Sequence, residues 1–240
     1  MSAVAAPVLS LATGDPTAET RALLTRTIGE FRGRIALTSS FGIEAAVLLH
    51  LVAGIEPSLP VLFLETGKLF GETLRHRDAL VARLGLRDVR TIVPDAAAIA
   101  AADPGGTLWQ SDPGRCCALR KVEPLAQALA GFEAWINGRR QAHGHARASL
   151  ALRETVDGRV KLNPLARWSD ADLEAYRTHH ELPDHPLAGD GFLSVGCLPC
   201  SDRARPGEGS RDGRWRGQER RECGIHLPRR AAAASSQMWK

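Results

Sequence analysis

The five cysteines of the 240-residue chain are not scattered. Cys116 and Cys117 stand side by side in RCCALRKV (115–122), Cys197 and Cys200 form the CxxC of CLPC (197–200), and Cys223 stands apart in ECGIH (222–226). A neighbouring pair plus a CxxC suits either zinc or an iron–sulfur cluster. Structural zinc is usually gripped by two CxxC-type knuckles, each turning its backbone so that both sulfurs reach one tetrahedral ion. Adjacent cysteines point in different directions and chelate one small ion awkwardly. A cubane, with a separate iron for each sulfur, accommodates them more easily. The set Cys116, Cys117, Cys197 and Cys200 therefore favours a [4Fe-4S] cluster over zinc, and either over four buried free thiols. Lys121, close by in sequence, supplies a cation to offset the charge of thiolate ligands.

Cys223 has different surroundings. Arg220, Arg221 and His226 flank it, and cationic neighbours lower a thiol pKa and favour the nucleophilic thiolate. The alternative is a tail cysteine without a role. With four thiols already assigned, the nucleophile is the better reading. The net charge is +4, and many arginines fall in GRRQAHGHAR (138–147) and SDRARPGEGSRDGRWRGQERR (201–221). Gly and Pro break both segments into loops, which suits the capture of a compact polyanion such as phosphate or sulfate. A solvated basic face or a nucleic-acid patch is the competing reading. Few aromatics are interleaved with the cations, and there is no helix-turn-helix or zinc-finger spacing. SSFGIE (39–44) offers hydroxyls, backbone N–H groups and a helix N-terminus to an anion, without being a Walker A loop or a GxGxxG fingerprint.

These residues need elements to position them. Hydrophobic content of 44% and charged content of 24% are ordinary for a globular chain with a full core. No apolar run approaches a membrane span. The first sixteen residues are apolar but lack a basic n-region, and read as a disordered or loosely docked lead-in rather than a secretory signal. That places the chain in a reducing, cytoplasmic setting, where metal ligation or thiol chemistry outweighs disulfides. RIALTSS (34–40), PVLFLETG (60–67) and DVRTIVPD (88–95) read as buried strands, and 43–54 and 70–85 as helices each ending at a glycine. This βαβαβ order predicts an α/β fold with a mostly parallel sheet, whose ligand lies beyond the carboxyl ends of the strands. Residues 116–130 read as a helix with the cysteines at or near its first turn, and 133–138 as a strand. Residues 152–165 read as a strand pair turning at Asp157-Gly158, and 169–182 as a helix capped by Ser169. From Pro183 onward an ordered loop is expected. The predicted organisation is a partly helical lead-in (1–33), a nucleotide-binding and cluster domain (34–205), and a flexible C-terminal segment (206–240) that closes over ligand and carries Cys223.

Taken together, SSFGIE, ETGKLFGET, CCALRKVEPL, WINGRR, NPLARW, GCLPC, RDGRW and ECGIH, in this order from about residue 34 to 227, resemble the assimilatory adenylyl-sulfate / phosphoadenylyl-sulfate reductases in their iron–sulfur branch. The resemblance implies a Rossmann-like adenine-nucleotide alpha hydrolase fold. It implies that Cys116, Cys117, Cys197 and Cys200 hold a [4Fe-4S] cluster and that Cys223 attacks the substrate sulfur. Adenosine would lie near Ser39, Ser40, Gly42, Thr66 and Gly67. The phosphosulfate would meet Lys121, Arg140, Arg147, Arg211 and Arg214, with His226 beside them. The implied reaction is reduction of adenylyl sulfate to sulfite and AMP through an S-sulfonate on Cys223, with thioredoxin or glutaredoxin as reductant. The 3′-phosphorylated nucleotide, or both nucleotides, is the alternative substrate. His143 and Glu65 depart from the family's pattern.

Two other readings compete. An ATP-dependent adenylating enzyme of the same fold would carry an SGGxDS-like loop, and SSFGIE lacks its second glycine and its Asp-Ser. A cluster-bearing nucleic-acid sensor would have no reason to keep Cys223. The expected partners are thus a nucleotide and a protein dithiol, with no nucleic acid and no membrane. A homo-oligomer is compatible with the sequence.

Overall fold

The computed structural model of the chain describes residues 15–144, 147–218 and 222–226. Helix α1 (Pro16–Glu30) leads, and β1 (Ile35–Ser39), α2 (Ala45–Ala53), β2 (Val61–Leu64), α3 (Gly71–Leu84) and β3 (Val89–Ile92) then alternate. Three short helices follow: α4 (Ala96–Ala102), α5 (Leu108–Ser111) and α6 (Pro113–Cys117). A π turn (Ala118–Val122) joins α6 to α7 (Glu123–Ala128). Strands β4 (Ala134–Ile136), β5 (Arg153–Val156) and β6 (Arg159–Leu162) precede α8 (Asp170–His179) and α9 (Pro186–Gly189).

The six strands form one sheet in the order β3-β2-β1-β4-β6-β5. All neighbours are parallel except β5 and β6, which form the expected hairpin. Its turn places Asp157 at φ 51° and Gly158 at φ 77°. That left-handed pair matches the twist of the flanking strands. The strand order reverses beside β1, with β2 and β3 on one side and β4 on the other. The crevice at the carboxyl ends of β1 and β4 is therefore where such a sheet receives its ligand.

Period-two alternation divides the core. Ile35 and Leu37, Val61 and Phe63, Ala134 and Ile136, and Leu162 pack on one face with α1, α2, α3 and α8. Ala36, Leu62 and Trp135 point to the other face and pack with Leu125 and Leu129 at the end of α7. Lys161, next to Leu162, shares this second face. No helix among the described residues is long and apolar enough to cross a membrane.

Three details refine the sequence reading. The lead-in 1–33, expected to be partly helical, contains α1, which packs into the main core: Leu24 and Ile28 are buried there, and Thr20 accepts a 2.9 Å hydrogen bond from Trp168 Nε1. Its start is clear in retrospect. Asp15 accepts from Thr17 N, and Pro16 occupies the first turn, where its missing N–H costs nothing. Most of the apolar stretch 1–16 lies outside the described residues. The cysteine helix begins three residues before Cys116, at Pro113, where Asp112 caps it by accepting from Arg115 N. It widens into the π turn directly after Cys117. The loop after Pro183 is ordered, as expected, and contains the short helix α9.

Candidate active site

The switch-point crevice is a cavity of about 230 Å³, bordered by the carboxyl ends of β1, β2 and β4 and by two later loops. The β1 end is shaped by Phe41. Its φ of 47° is unusual for a bulky side chain and turns the chain sharply toward α2. The strain is held by burial: the ring is fully enclosed and meets Phe63 edge-on at 5.4 Å, while Phe41 N donates to Ser39 Oγ at 3.1 Å. Ser39, Ser40 and Gly42 are thereby left at the cavity wall. No side chain caps the first turn of α2, so its backbone N–H groups are open to an anion.

Guanidinium groups form the opposite wall, with one change from the sequence expectation. Arg140 does not reach the cavity. Its side chain is fully buried, ion-paired with Glu44 and with Asp170 at 2.6 Å, and it donates to Trp168 O at 3.1 Å. Arg139 lines the cavity instead. It is held by Asn137 at 3.2 Å, by Asn163 at 3.0 Å and by Glu154. The reason is elementary: Arg140 is extended (φ −130°, ψ 152°), so its neighbour points the other way. His143 also lines the cavity, and its partners fix its tautomer. Nδ1 accepts from Arg147 at 2.8 Å, and Nε2 donates to Glu44 at 2.8 Å. Burial raises the Glu44 pKa, but His143 and Arg140 outweigh it and hold the carboxyl at about 2.

Arg147, Arg211 and Arg214 all border the cavity. Arg147 forms a bidentate pair with Glu222 at 2.5 and 2.8 Å, and Arg211 lies 3.9 Å from the same carboxylate. Burial, with Arg147 nearby, pulls the Arg211 pKa down to about 10. Arg214 donates to Cys200 O at 2.9 Å and stacks 4.6 Å from the Trp215 ring centroid. Its guanidinium lies against Gly196, where a Cβ would come within 2.4 Å of it. Gly67 is not in the wall. It sits at φ 69° in a turn closed by its own N–H donating to Glu65 Oε1 at 2.7 Å, which also keeps Glu65 away from the cavity. Thr66 does line it.

Cys223 borders the cavity and is half-buried against the cluster of Cys197, Cys200 and Trp215. Arg220 and Arg221 lie outside the described residues. The cations coupled to the Cys223 thiol are Lys121, Arg211 and Arg214. Burial lowers the Lys121 pKa, but the thiols of Cys197, Cys223 and Cys117 outweigh it, and the net shift is upward. His226 also lines the cavity; burial drives its pKa well down, and its Nδ1 has no hydrogen-bond partner among the described residues.

Behind Lys121 is a smaller pocket lined by Cys116, Cys117, Cys197 and Cys200. Pro113, Cys116, Cys117, Arg120 and Lys121 all face it, a stripe at helical spacing in which adjacent cysteines occupy neighbouring positions of one face. The CLPC loop is brought to it by Leu198 N donating to Lys68 O at 2.7 Å. None of the four is in a disulfide, and all are buried. Burial and the neighbouring Cys117 push Cys116 up to about 11. Burial also raises the Cys197 pKa, but Lys121 and the Thr66 hydroxyl at 3.2 Å outweigh it, so its net shift is downward. Among the described residues no three His, Cys, Asp or Glu side chains are placed to hold a single metal ion. Lys121 borders both the thiol pocket and the larger cavity.

The sequence reading missed Arg139, Glu222 and Lys161. Arg139 was one of two adjacent arginines that sequence does not rank. Glu222 stands next to Cys223, and its charge opposite to the surrounding basic run was an available signal.

Residues 34–203 match the phosphoadenosine phosphosulfate reductase domain family. The chain is 50% identical over 197 residues to the adenosine 5'-phosphosulfate reductase of Mesorhizobium japonicum, covering 82% of this chain and 78% of that one. It is 38% identical over 210 residues to the phosphoadenosine 5'-phosphosulfate reductase of Gloeobacter violaceus, covering 85% and 87%. Among solved structures, the phosphoadenylyl-sulfate reductase of Candida auris superposes with a TM-score of 0.64 at 24% identity, over 79% of this chain and 91% of that one. The FMN adenylyltransferase of Candida glabrata, bound to FMN and an ATP analog, superposes with a TM-score of 0.58 at 16% identity, over 98% and 84%. These two likenesses show the fold, an adenine-nucleotide alpha hydrolase-like sheet. The domain match and the identity to curated relatives together show that the chain belongs to the adenylyl-sulfate / phosphoadenylyl-sulfate reductase family.

Proposed function

We propose that this chain reduces adenylyl sulfate to sulfite and AMP in sulfate assimilation, using Cys223 as nucleophile. The observation that carries the reading is one cavity at the sheet's switch point, with a cysteine on its wall among Lys121, Arg211 and Arg214. Adenosine 5'-phosphosulfate reductase is the name of the relatives at 50% and 46% identity, which favours the unphosphorylated nucleotide over its 3′-phosphorylated form.

Sulfate sulfur is electron-poor but shielded by anionic oxygens, so cations must neutralise them before a thiolate can approach. Arg147, Arg211, Arg214 and Lys121 supply that charge, and Ser39, Ser40, Gly42 and Thr66 border the place for adenosine. Arg139 joins the cationic wall. Arg140 contributes indirectly by holding Glu44, which orients His143 and through it Arg147. The Cys223 thiolate attacks sulfur, an S–S bond forms, and the S–O bond to the phosphate breaks with its electron pair leaving on AMP. A thiolate of a dithiol such as thioredoxin then attacks Cys223 Sγ. Sulfite departs with the S–S electron pair, and the second thiol resolves the mixed disulfide and regenerates Cys223. The dithiol is oxidised by two electrons as the substrate sulfur is reduced by two.

The thiol pocket fits an iron–sulfur cluster. Four buried thiols line one pocket without converging on a point for a single ion; burial and their mutual repulsion raise Cys116 and Cys200 while Lys121 lowers Cys197, so a positively charged group among them would favour the thiolate ligands a cluster requires. Cys116, Cys117, Cys197 and Cys200 would hold it, and when bound it would supply a fixed charge that orders Lys121 at the cavity wall. Iron and acid-labile sulfide are expected at about four each per chain in anaerobically purified protein; stoichiometric zinc in their place would overturn the cluster assignment. The activity is tested by sulfite release from adenylyl sulfate and from its 3′-phosphorylated form with thioredoxin. The proposal expects higher kcat/KM for adenylyl sulfate. Pyrophosphate release from ATP, or DNA retardation without sulfite release, would overturn it.

A further inference from the structure

Lys161 is fully buried at the middle of β6, a costly place for an ammonium group unless its protons are satisfied. The strand register explains how it is surrounded. Trp135 on β4 lies directly opposite Lys161, and Glu154 on β5 lies opposite on the other side. The three side chains form one cross-strand row on the sheet face that also carries Leu62 and Ala36. The ammonium lies 4.9 Å from the Trp135 ring centroid and 3.6 Å from Glu154 Oε1, an oxygen already engaged by Arg139 and Asn163. Its closest contact comes from elsewhere: Nζ donates to the backbone carbonyl of His226 at 3.1 Å.

The same short segment covers the rest of the row. The His226 ring stacks on Trp135, with centroids 5.7 Å apart and planes 11° apart. Ile225 packs into the apolar cluster that contains Trp135. Gly224 adopts φ 90°, a conformation other residues rarely take, and a Cβ there would lie 3.4 Å from Val122. Of the three residues after Cys223, Ile225 and His226 pack on this surface, and Gly224 supplies the turn that joins them to the thiol. Burial and Arg139 draw the Lys161 pKa down to about 8, against the opposing pull of Glu154. Within the row the ammonium has Glu154 at 3.6 Å and the Trp135 ring, and the His226 carbonyl, at 3.1 Å, supplies its shortest contact from outside it.

We propose that Trp135 and Lys161 form a docking seat for the segment 222–226, and that Lys161 is a positioning residue that captures the backbone beyond Cys223 and so aims the thiol into the cavity. The significance of this seat for turnover rests on Cys223 being the nucleophile; the seat itself does not.

The test uses the full-length chain carrying Lys161→Ala, Lys161→Arg or Trp135→Leu, each checked for a cooperative thermal transition. With AMP bound, iodoacetamide labelling of Cys223, mapped by mass spectrometry, is expected to be about fivefold faster in Lys161→Ala and Trp135→Leu, because the segment opens more often. AMP affinity is expected within about twofold of the parent, since neither residue lines the cavity, while single-turnover S-sulfonate formation slows about tenfold, the size of one charge-assisted hydrogen bond. Lys161→Arg, which keeps a donor, should recover most of both effects. Parental labelling and S-sulfonate rates in both variants would overturn the seat, as would AMP affinity falling in step with the rate. Should Lys161→Ala fail to fold, acetylation of Lys161 is compared in the parent and in Ile225→Asp: resistance in the parent and modification in the variant support the seat, and equal resistance overturns it. If the parent forms no S-sulfonate but the labelling differences hold, the nucleophile assignment fails and the seat stands.

Discussion

At the scale of single residues, the pair Arg139 and Arg140 shows how much one backbone step decides. Both are arginines in WINGRR, and only the second was expected at the substrate. In the fold Arg140 is locked to Glu44, Asp170 and Trp168 O, while Arg139 faces the cavity. Arg140→Met should therefore act on stability. Removing one partner of a buried pair costs about 3–5 kcal/mol, read as a lower denaturation midpoint, and a normal midpoint with a raised KM would return Arg140 to the substrate wall. Arg211→Ala and Arg214→Ala should behave in the opposite way, weakening adenylyl sulfate far more than AMP. A charge-assisted contact is worth about 1.5–3 kcal/mol, and AMP lacks the sulfate. Equal losses for the two ligands would assign these arginines to the α-phosphate or to folding. Cys223→Ser should retain iron and nucleotide binding yet form no covalent S-sulfonate on the chain, detectable by intact mass. Normal turnover in that variant would remove Cys223 from the chemistry.

At the scale of elements, the loop from Gly196 to Trp215 is a clamp that sets Arg214 in place. Ser201 and Arg214 form an isolated antiparallel bridge, and Asp202 N donates to Gly213 O at 2.8 Å. The approach is so close that a Cβ on Gly213 would meet Asp202 O at 2.4 Å. Gly213→Ala must open the bridge and displace the guanidinium. Its expected signature is a loss of kcat/KM about equal to that of Arg214→Ala, on the order of tenfold or more, with iron content retained; unchanged kinetics would show that the clamp does not position Arg214. The start of α2 has a different sensitivity. Glu44 has its carboxyl held at about 2 against an ordinary value of 4.5. A carboxylate with a depressed folded pKa contributes stability above its unfolded value, and that contribution is lost as pH falls toward the folded one. Stability of the parent should thus decline between pH 4.5 and about 2. Glu44→Gln should be less stable at neutral pH and show a shallower decline across that window in urea titrations, and parallel curves would contradict the coupling.

At the scale of the whole molecule, two parts with different attachments meet at one cavity. The sheet and its helices carry the two large apolar clusters, whereas the wall carrying Arg211, Arg214 and Cys223 is held by a bridge, ion pairs, a stacked histidine and only small apolar contacts around Trp215 and Ile225. Such contacts are weaker than a packed core and open at lower cost. We expect residues from about 206 onward to be the first cleaved in limited proteolysis of the free enzyme and to be protected by AMP or substrate. Equal resistance with and without nucleotide, together with a Cys223 that thiol reagents never reach, would rule out a segment that opens to admit a protein dithiol.

Much of this was legible in the amino-acid order because it depends on local chemistry. Apolar runs of strand length alternating with amphipathic helices imply the parallel sheet, Asp157-Gly158 implies the hairpin, and Ser169 with Asp172 implies the capped start of α8, which the structure shows as a reciprocal cap. The cysteine pattern likewise distinguished the four thiols that line one pocket from the one that borders the larger cavity. What only the tertiary structure decided are relations between distant segments. Sequence cannot say that Lys161 meets the His226 carbonyl 65 residues away, that Glu222 pairs with Arg147, or that α1 closes the core over Trp168. Each of these depends on strand order and register, because register determines which side chains share a row and which loop closes over it. A lysine in a strand reads as exposed by its type alone, and only the assembled sheet shows it buried beneath the segment that carries Cys223.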